Sequence, residues 1–279
     1  MKALISGVVT TKNEEDVIGN LLESLQIQSY QNFEIVIVDN FSSDKTVEVV
    51  RRYSKNIYEK GPERSTQRNF GVKMAHGDYV IILDSDMVLE KNVLKDCVQT
   101  FNKHDKLGAL VIPEKSFGIG FWSRCKAFER EFYVGEESIE AARCFRKDLF
   151  LKFGGYDERI TGPEDYELPL RMKKKGIKIG RIKSFILHNE KKFSPFKSAK
   201  KKFYYASRAS NYLKKHPEMA LAQGNLLFRF VFFKKWRKLI SNPILSVGMF
   251  IMRTVEATGA LLGYIYSLLT QSVLRSIIR

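Results

Sequence analysis

Tyr79-Val-Ile-Ile-Leu-Asp-Ser-Asp86 decides the reading of this chain, because an apolar strand delivers two carboxylates, one residue apart, to its C-terminal end. In open α/β sheets that end is where ligands bind. Aspartates at i and i+2 can divide the work of holding a sugar hydroxyl and a hydrated divalent cation, and Mg²⁺ or Mn²⁺ takes such hard oxygen ligands. An acidic strand end also serves as a cap or turn, and the D-x-D alone does not separate the two.

Upstream, Val- and Ile-rich runs alternate with helical patterns. Strands are expected at 3–9, 33–38, 56–58 and 79–83, and helices at 15–27, 44–53 and 65–74. That alternation predicts an α/β domain, a parallel sheet with crossover helices. Downstream, a helix is expected at 90–103, a strand at 108–112 and a helix at 119–132. A short strand near 143–145, the Gly154-Gly155 turn, a helix at 164–175 and strands at 177–179 and 184–187 follow.

With 279 residues, 44% of them hydrophobic, the chain can bury a core, and it contains no internal repeat. Cys97, Cys125 and Cys144 are odd in number and widely spaced, which argues against a disulfide framework or a zinc knuckle and fits a reducing cytosol. The apolar start is short and lacks a signal-peptide cleavage pattern, so it reads as a first strand.

The net charge of +16 is uneven: residues 191–240 hold fourteen Lys or Arg against one acid, Glu218, while residues 1–190 are nearly balanced. Beyond Phe193 strand patterns end, and Pro195, Pro217 and Pro243 each fall near an expected helix start. In the last helix Asn242, Ser246, Glu256, Ser267, Gln271 and Arg275 share one polar stripe with Arg253, opposite a wide apolar face. Arg253 and Glu256 interrupt the apolar window, which argues against a simple span and for an interfacial helix, or one packed on a partner or on its own catalytic domain. Leu226–Lys238 interleaves aromatics with bases, a composition suited to anionic headgroups. Nucleic acid would attract the same charges, but no recognition fold accompanies them, so no nucleic-acid partner is expected.

In a parallel sheet the ends of the first, second and D-x-D strands lie on one edge. Thr10-Thr-Lys-Asn-Glu14 and Val38-Asp39 stand there, beside Arg68-Asn69 on the preceding helix. Asp39 can accept from a base N–H or simply close a turn, Arg68 can reach base or phosphates, and Asp44 caps its helix. Glu164-Asp165 opens a helix after Thr161-Gly-Pro and suits either acid/base work or the helix dipole.

Together these strings resemble glycosyltransferase family 2, nucleotide-sugar enzymes of the GT-A fold. The residues that carry the likeness are Thr10-Thr-Lys-Asn-Glu-Glu15, Val36-Ile-Val-Asp-Asn40, Gly61-Pro-Glu-Arg-Ser-Thr-Gln-Arg-Asn69, Gly77-Asp-Tyr-Val-Ile-Ile-Leu-Asp-Ser-Asp86, Gly154-Gly-Tyr-Asp157 and Gly162-Pro-Glu-Asp-Tyr-Glu167. Their order and joint presence over residues 3–190 make the likeness specific. It implies that Thr10, Glu14 and Asp39 contact the nucleoside, Arg68 the base or diphosphate, and Asp84 the ribose. It further implies Asp86 as ligand to Mn²⁺ or Mg²⁺, His188 as a second ligand, Asp165 as general base and Glu164 as the residue that positions the acceptor. His188 also reads as a satisfied or solvent-facing histidine.

The expected architecture is a GT-A domain over 1–193 followed by a basic, amphipathic helical region over 194–279. The expected activity is inverting transfer of one sugar from a UDP- or GDP-sugar to a lipid-linked sugar or glycolipid at the cytoplasmic membrane face. The family's Q-x-x-R-W motif for processive synthesis is missing, which favours single transfer. A polyprenyl phosphate acceptor would already be ionised and would not need Asp165. A non-catalytic nucleotide-sugar or membrane-binding scaffold would keep Asp39 while tolerating loss of Asp86 and Asp165. Donor base, sugar, acceptor and oligomeric state are not legible.

Overall fold

The computed structural model describes residues 2–137, 139–160, 164–208, 232 and 234–277, with side chains up to Thr270. Thr161-Gly-Pro, the helix expected at Pro217, most of the Leu226–Lys238 run, and the side chains of Gln271 and Arg275 lie outside the described residues. The chain divides into two compact units. The first comprises Met1–Lys115, Glu140–Glu158 and Pro163–Asn189, and the second Ser116–Ile139, Arg159–Gly162 and Glu190–Arg279.

The first unit is built on a seven-stranded sheet. In chain order its elements are β1 (Ile5–Thr11), α1 (Ile18–Gln26), β2 (Phe33–Asp39), α2 (Thr46–Val50), β3 (Asn56–Glu59), α3 (Arg64–Met74), β4 (Tyr79–Asp84), β5 (Met87–Leu89), α4 (Val93–Lys103) and β6 (Leu107–Val111). Strand β7 (Glu114–Phe117) comes next. After α5 (Phe121–Tyr133) follow β8 (Ala142–Arg146), α6 (Lys147–Lys152), α7 (Glu164–Lys174), β9 (Lys178–Arg181) and β10 (Ile186–Asn189). The large sheet has the order β3-β2-β1-β4-β8-β6-β9, and a small sheet has the order β5-β10-β7.

Strands β3, β2, β1 and β4 are mutually parallel, and β8 is antiparallel to both β4 and β6. The chain moves outward from β1 through β2 to β3, then α3 returns it to β4 on the other side of β1. That reversal opens a crevice at the C-terminal ends of β1 and β4, the switch point where such sheets bind ligands.

Both faces of the sheet are covered, which explains the unbroken apolar runs. Along β4, Tyr79, Ile81 and Leu83 join one core with Leu21, Leu22 and Phe101, while Val80 and Ile82 join the other with Val72, Phe145 and Met172. Val80, Ile81, Ile82 and Leu83 are all fully buried; burying each such side chain contributes about 1.5–3 kcal/mol. Helix α3 lies close to the sheet because Gly71 has no side chain: a Cβ there would fall 2.4 Å from Val8 Cγ1 and 3.0 Å from Val38 Cγ2.

Beyond the last two residues of β7, the regular elements of the second unit among its described residues are helices: α5, α8 (Pro195–Arg208), α9 (Trp236–Ser241) and α10 (Pro243–Ile277). Phe128, Phe132, Phe232, Met249 and Met252 form its core. Within it, fully buried Glu129 accepts from Lys126 at 2.8 Å and from Arg253 Nη1 at 2.9 Å. Fully buried Glu256 faces Arg253 at 3.4 Å and Lys126 at 3.6 Å. Two acids and two bases thus balance inside the unit, as buried charges must. Composition places a boundary near 193, whereas in space Ser116–Ile139 is compact with the C-terminal helices, held by this pairing of α5 with α10.

Candidate active site

The register sets the strand ends side by side: Thr10 is level with Asp84 of β4 and with Val38 of β2, and Thr11 with Asp39. Thr10 Oγ1 lies 3.5 Å from Asp84 Oδ1. Gln67 of α3 donates to the carbonyls of Val38 at 2.8 Å and Thr11 at 3.3 Å, finishing both strands.

Asp39 is fully buried, and its two oxygens accept from the backbone N–H of Ser42, at 2.7 Å, and from the Ser42 hydroxyl. It closes the turn after β2, with lone pairs to spare for a further donor. Glu14 is half-buried, and its carbonyl accepts from Val17 and Ile18 at the start of α1. Asp44 accepts from the backbone N–H and hydroxyl of Thr46, the first residue of α2, but it stands one residue before the N-cap, Lys45, and also accepts from the Glu15 N–H at 3.2 Å, so it ties the start of α2 to the loop after β1.

Arg68 links the distant parts of the chain. Its side chain is wholly buried: Nη2 donates to Asp84 Oδ1 at 2.7 Å, and Nη1 donates to Asp165 and, at 3.3 Å, to Glu164 Oε1. Tyr156 flanks the guanidinium, with its ring centroid 5.5 Å away. Burial opposes the charge on Arg68, but Asp165 and then Asp84 outweigh it and raise its pKa well above the usual range. Asp84 is likewise pushed up by burial, yet Arg68, Arg143 and Arg64 hold it well below the usual carboxylate range. Glu164 moves the other way, since burial and then the neighbouring Asp165 raise it despite Arg64 and Arg68. Arg68 Nε and Thr11 Oγ1 are buried without a hydrogen-bond partner among the described residues.

Asp86 sits on the turn from β4 to β5, its side chain about a third exposed, and Oδ1 lies 3.5 Å from His188 Nδ1. His188 is opposite Met87 in the β5–β10 pairing, so the small sheet brings it back to the D-x-D. Its Nε2 lies 3.4 Å from Glu114 Oε2, and Glu114 in turn accepts from Arg143 Nε. Arg143 Nη1 is 3.6 Å from Asp84 Oδ2. Charges therefore alternate around the crevice from Asp165 through Arg68, Asp84 and Arg143 to Glu114, and the His188 imidazole lies between Glu114 and Asp86.

Arg143 and Glu114 are site residues that the sequence reading missed. Between the pairs Leu110↔Cys144 and Val111↔Ala142, β8 advances two residues while β6 advances one. Arg143 is the extra residue of that β-bulge, a device that re-aims a side chain beside a site. Its signal was present: a lone arginine between Ala142 and Cys144 on a buried strand requires a buried acidic partner. Glu114 gave no comparable signal.

Among the described residues no group of three or more His, Cys, Asp or Glu side chains is placed to hold an ion. Asp86 and His188 supply a hard oxygen and an imidazole nitrogen on one side of the crevice. That pair fits Mg²⁺ or Mn²⁺, which complete their shells with water and substrate phosphates.

The sequence matches the family model for glycosyl transferase family 2 over residues 6–153, more than half of the chain. It is similar to the poly(ribitol-phosphate) beta-N-acetylglucosaminyltransferase TarS of Staphylococcus aureus, 34% identical over 108 residues, which is 36% of this chain and 19% of TarS. It is also similar to an uncharacterised glycosyltransferase of Haemophilus influenzae, 27% identical over 184 residues, 61% of this chain and 62% of that one. The chain thus spans a small part of TarS and a little under two thirds of the Haemophilus protein.

Among solved structures, a mannosyltransferase from Pyrobaculum calidifontis in complex with GDP-Man and Mn²⁺ superposes with a TM-score of 0.64 at 18% identity, covering 96% of this chain and 88% of that one. TarS residues 1–349 in complex with UDP-GlcNAc give 0.55 at 20% identity, covering 95% and 90%. The fold is of the GT-A type.

Proposed function

The chain belongs to glycosyl transferase family 2, and from that premise we propose an inverting, metal-dependent transferase that moves one sugar from a UDP- or GDP-sugar to a hydroxyl of a lipid-linked sugar or glycolipid. The observation that carries this reading is the buried Arg68, which ties Asp84 at the end of β4 to Asp165 at the start of α7. Donor-side and acceptor-side carboxylates thereby share one crevice. Thr10, Glu14 and Asp39 line the nucleoside side, Asp84 meets the ribose, and Glu164 positions the acceptor. Arg68, expected at the base or diphosphate, is wholly buried with both terminal nitrogens engaged, and its part is to hold these carboxylates in place.

An alcohol is a weak nucleophile at neutral pH, so a carboxylate must take its proton as the new bond forms. Asp165 accepts that proton while the acceptor oxygen bonds to the anomeric carbon. The bond from that carbon to the diphosphate oxygen breaks on the opposite face, and the electron pair leaves with the nucleoside diphosphate. Attack and departure on opposite faces invert the configuration. Asp86 and His188 would hold Mn²⁺ or Mg²⁺, which when bound offsets charge developing on the leaving diphosphate.

The basic character of residues 191–240, together with Pro243–Thr270, which by length and composition alone could cross a membrane, supports an acceptor at the cytoplasmic face of an anionic membrane. A screen of UDP- and GDP-sugars with Mn²⁺ or Mg²⁺, with and without membrane extract, tests the reading. Release of nucleoside diphosphate from one donor, increased by extract, is expected. Turnover of none of them under either condition rejects the reading.

A further inference from the structure

Helix α10 is turned inside out for a water-soluble protein. Its charged residues Arg253 and Glu256 are 2% and 0% exposed, and Ser246 and Ser267 are buried beside them, while Ile244, Val247, Ile251, Leu261, Ile265 and Leu268 are 43–74% exposed. From Ile244 to Leu269 no charged side chain of this helix reaches the surface. Along the outward stripe the hydroxyls of Thr254 and Thr258 each donate at 3.0 Å to the carbonyl four residues back, on Phe250 and Thr254, and Tyr264 and Tyr266 add exposed phenols near the end of the stripe. The threonine hydroxyls are thus met within the helix, as hydrocarbon requires, and the two tyrosines are residues that suit the headgroup level of a membrane.

The inner face is packed in a way that small residues permit. A Cβ on Gly259 would lie 2.3 Å from the Ala199 carbonyl oxygen of α8, and one on Gly263 would lie 2.2 Å from that of Phe203. Two glycines four apart thus let two backbones touch, a packing common between helices in lipid. The Ser198 hydroxyl of α8 donates to Glu256 of α10, adding a polar tie.

Two arrangements could bury the outward stripe, a second copy of the chain or lipid. A helix–helix seam is narrow, whereas exposure here widens along the helix until Leu261, Leu262, Tyr264, Ile265, Tyr266, Leu268 and Leu269 are all open. Lipid accepts such breadth. Lys197, Lys200, Lys201 and Arg208 stand exposed on α8, the helix paired with α10. A spanning α10 would draw them into hydrocarbon, whereas a helix lying along the surface leaves them among the headgroups.

We infer that the α8–α10 pair is a monotopic membrane anchor: α10 lies along one leaflet with its Ile244–Leu269 face among the acyl chains, and the lysines of α8 meet anionic headgroups. This deepens the membrane-side part of the proposed function and rests on it for the location of the acceptor, but its test needs no turnover.

The full chain is floated with phosphatidylcholine vesicles alone or containing phosphatidylglycerol, as wild type, as Ile251→Asp/Leu261→Asp and as Lys200→Gln/Lys201→Gln. Wild-type binding should be stronger on anionic vesicles and persist in part at about 1 M salt, where the Debye length is about 3 Å. The double aspartate variant should lose at least about tenfold in partitioning, since carboxylates resist entry into hydrocarbon. The double glutamine variant should lose the preference for anionic lipid and keep the residual binding. Far-UV circular dichroism and donor hydrolysis in detergent, unchanged in these variants, separate failed anchoring from misfolding or failed catalysis. Three results would overturn the inference: binding abolished by salt and unaffected by the aspartates, no binding to either vesicle, or a wild-type dimer that the aspartates split.

Discussion

Arg68 carries more of this site than any other residue. Its two terminal nitrogens hold three carboxylates that lie 16, 96 and 97 residues away in sequence. Removing it leaves those acids buried without their cation, so Arg68→Met should cost about 3–5 kcal/mol of stability by chemical denaturation. Arg68→Lys keeps the charge but not the fork; it should fold and lose turnover, because a point cation cannot reach Asp84 and Asp165 together.

Glu164 obeys the opposite logic. With its folded pKa raised by burial and Asp165, it adds stability below its unfolded value of about 4.3 and loses that contribution as pH rises through the folded value. At neutral pH its ionised form is a cost, so Glu164→Gln should raise the melting temperature at pH 7, change it little near pH 4, and weaken acceptor use. Asp84 has the reverse sign: its depressed pKa stabilises the fold above about pH 4 and that support is lost as pH falls through the folded value. At the cation pair, Asp86→Asn should weaken Mn²⁺ binding by titration calorimetry in the presence of nucleoside diphosphate, and His188→Ala should weaken it less, since the carboxylate brings charge as well as a ligand atom.

Elements place these residues, and they differ in how far the sequence announces them. The apolar runs of β1, β2 and β4 are long enough to identify directly, and their parallel register follows from the helices between them. Strands β5 and β7 and helix α6 are three to six residues long, too short for a periodic signal, and the sequence reading passes over them. Their omission hides the small sheet that returns His188 to Asp86. The bulge that aims Arg143 is likewise a property of pairing between strands, not of either strand alone. In α10 the polar stripe is legible from a 100° plot, but a plot cannot say which face a neighbour covers; the ion pairs of Arg253 with Glu129 and of Glu256 with Lys126, both on α5, turn the polar side inward. Gly71 tests the placing of α3: Gly71→Ala would push a methyl against Val8 and Val38. A cost of about 1–3 kcal/mol is expected, with reduced turnover as Arg68 shifts.

At the scale of the molecule, a doubly covered sheet supplies the rigid edge, and Thr10, Asp39 and Asp84 stand on it at the ends of their strands. Thr10, Asp39, Asp84, Asp86, Glu164 and Asp165 were legible as candidates because each is a polar residue at the end of an apolar run or the start of a helix, Arg68 because its helix precedes the D-x-D strand, and His188 through the family likeness. Their mutual contacts were not, since sequence distance hides which strand ends meet. The helical unit is legible in composition, through its charge, and illegible in packing. The central claim is that Asp165 takes the acceptor's proton while Asp84 and Asp86 serve the donor. Single-turnover transfer by Asp165→Asn, with the donor and acceptor that the wild type uses, tests it most directly. A fall of about 10²–10⁴-fold in the chemical step, with donor affinity unchanged, is the expected result; transfer at the wild-type rate would contradict it.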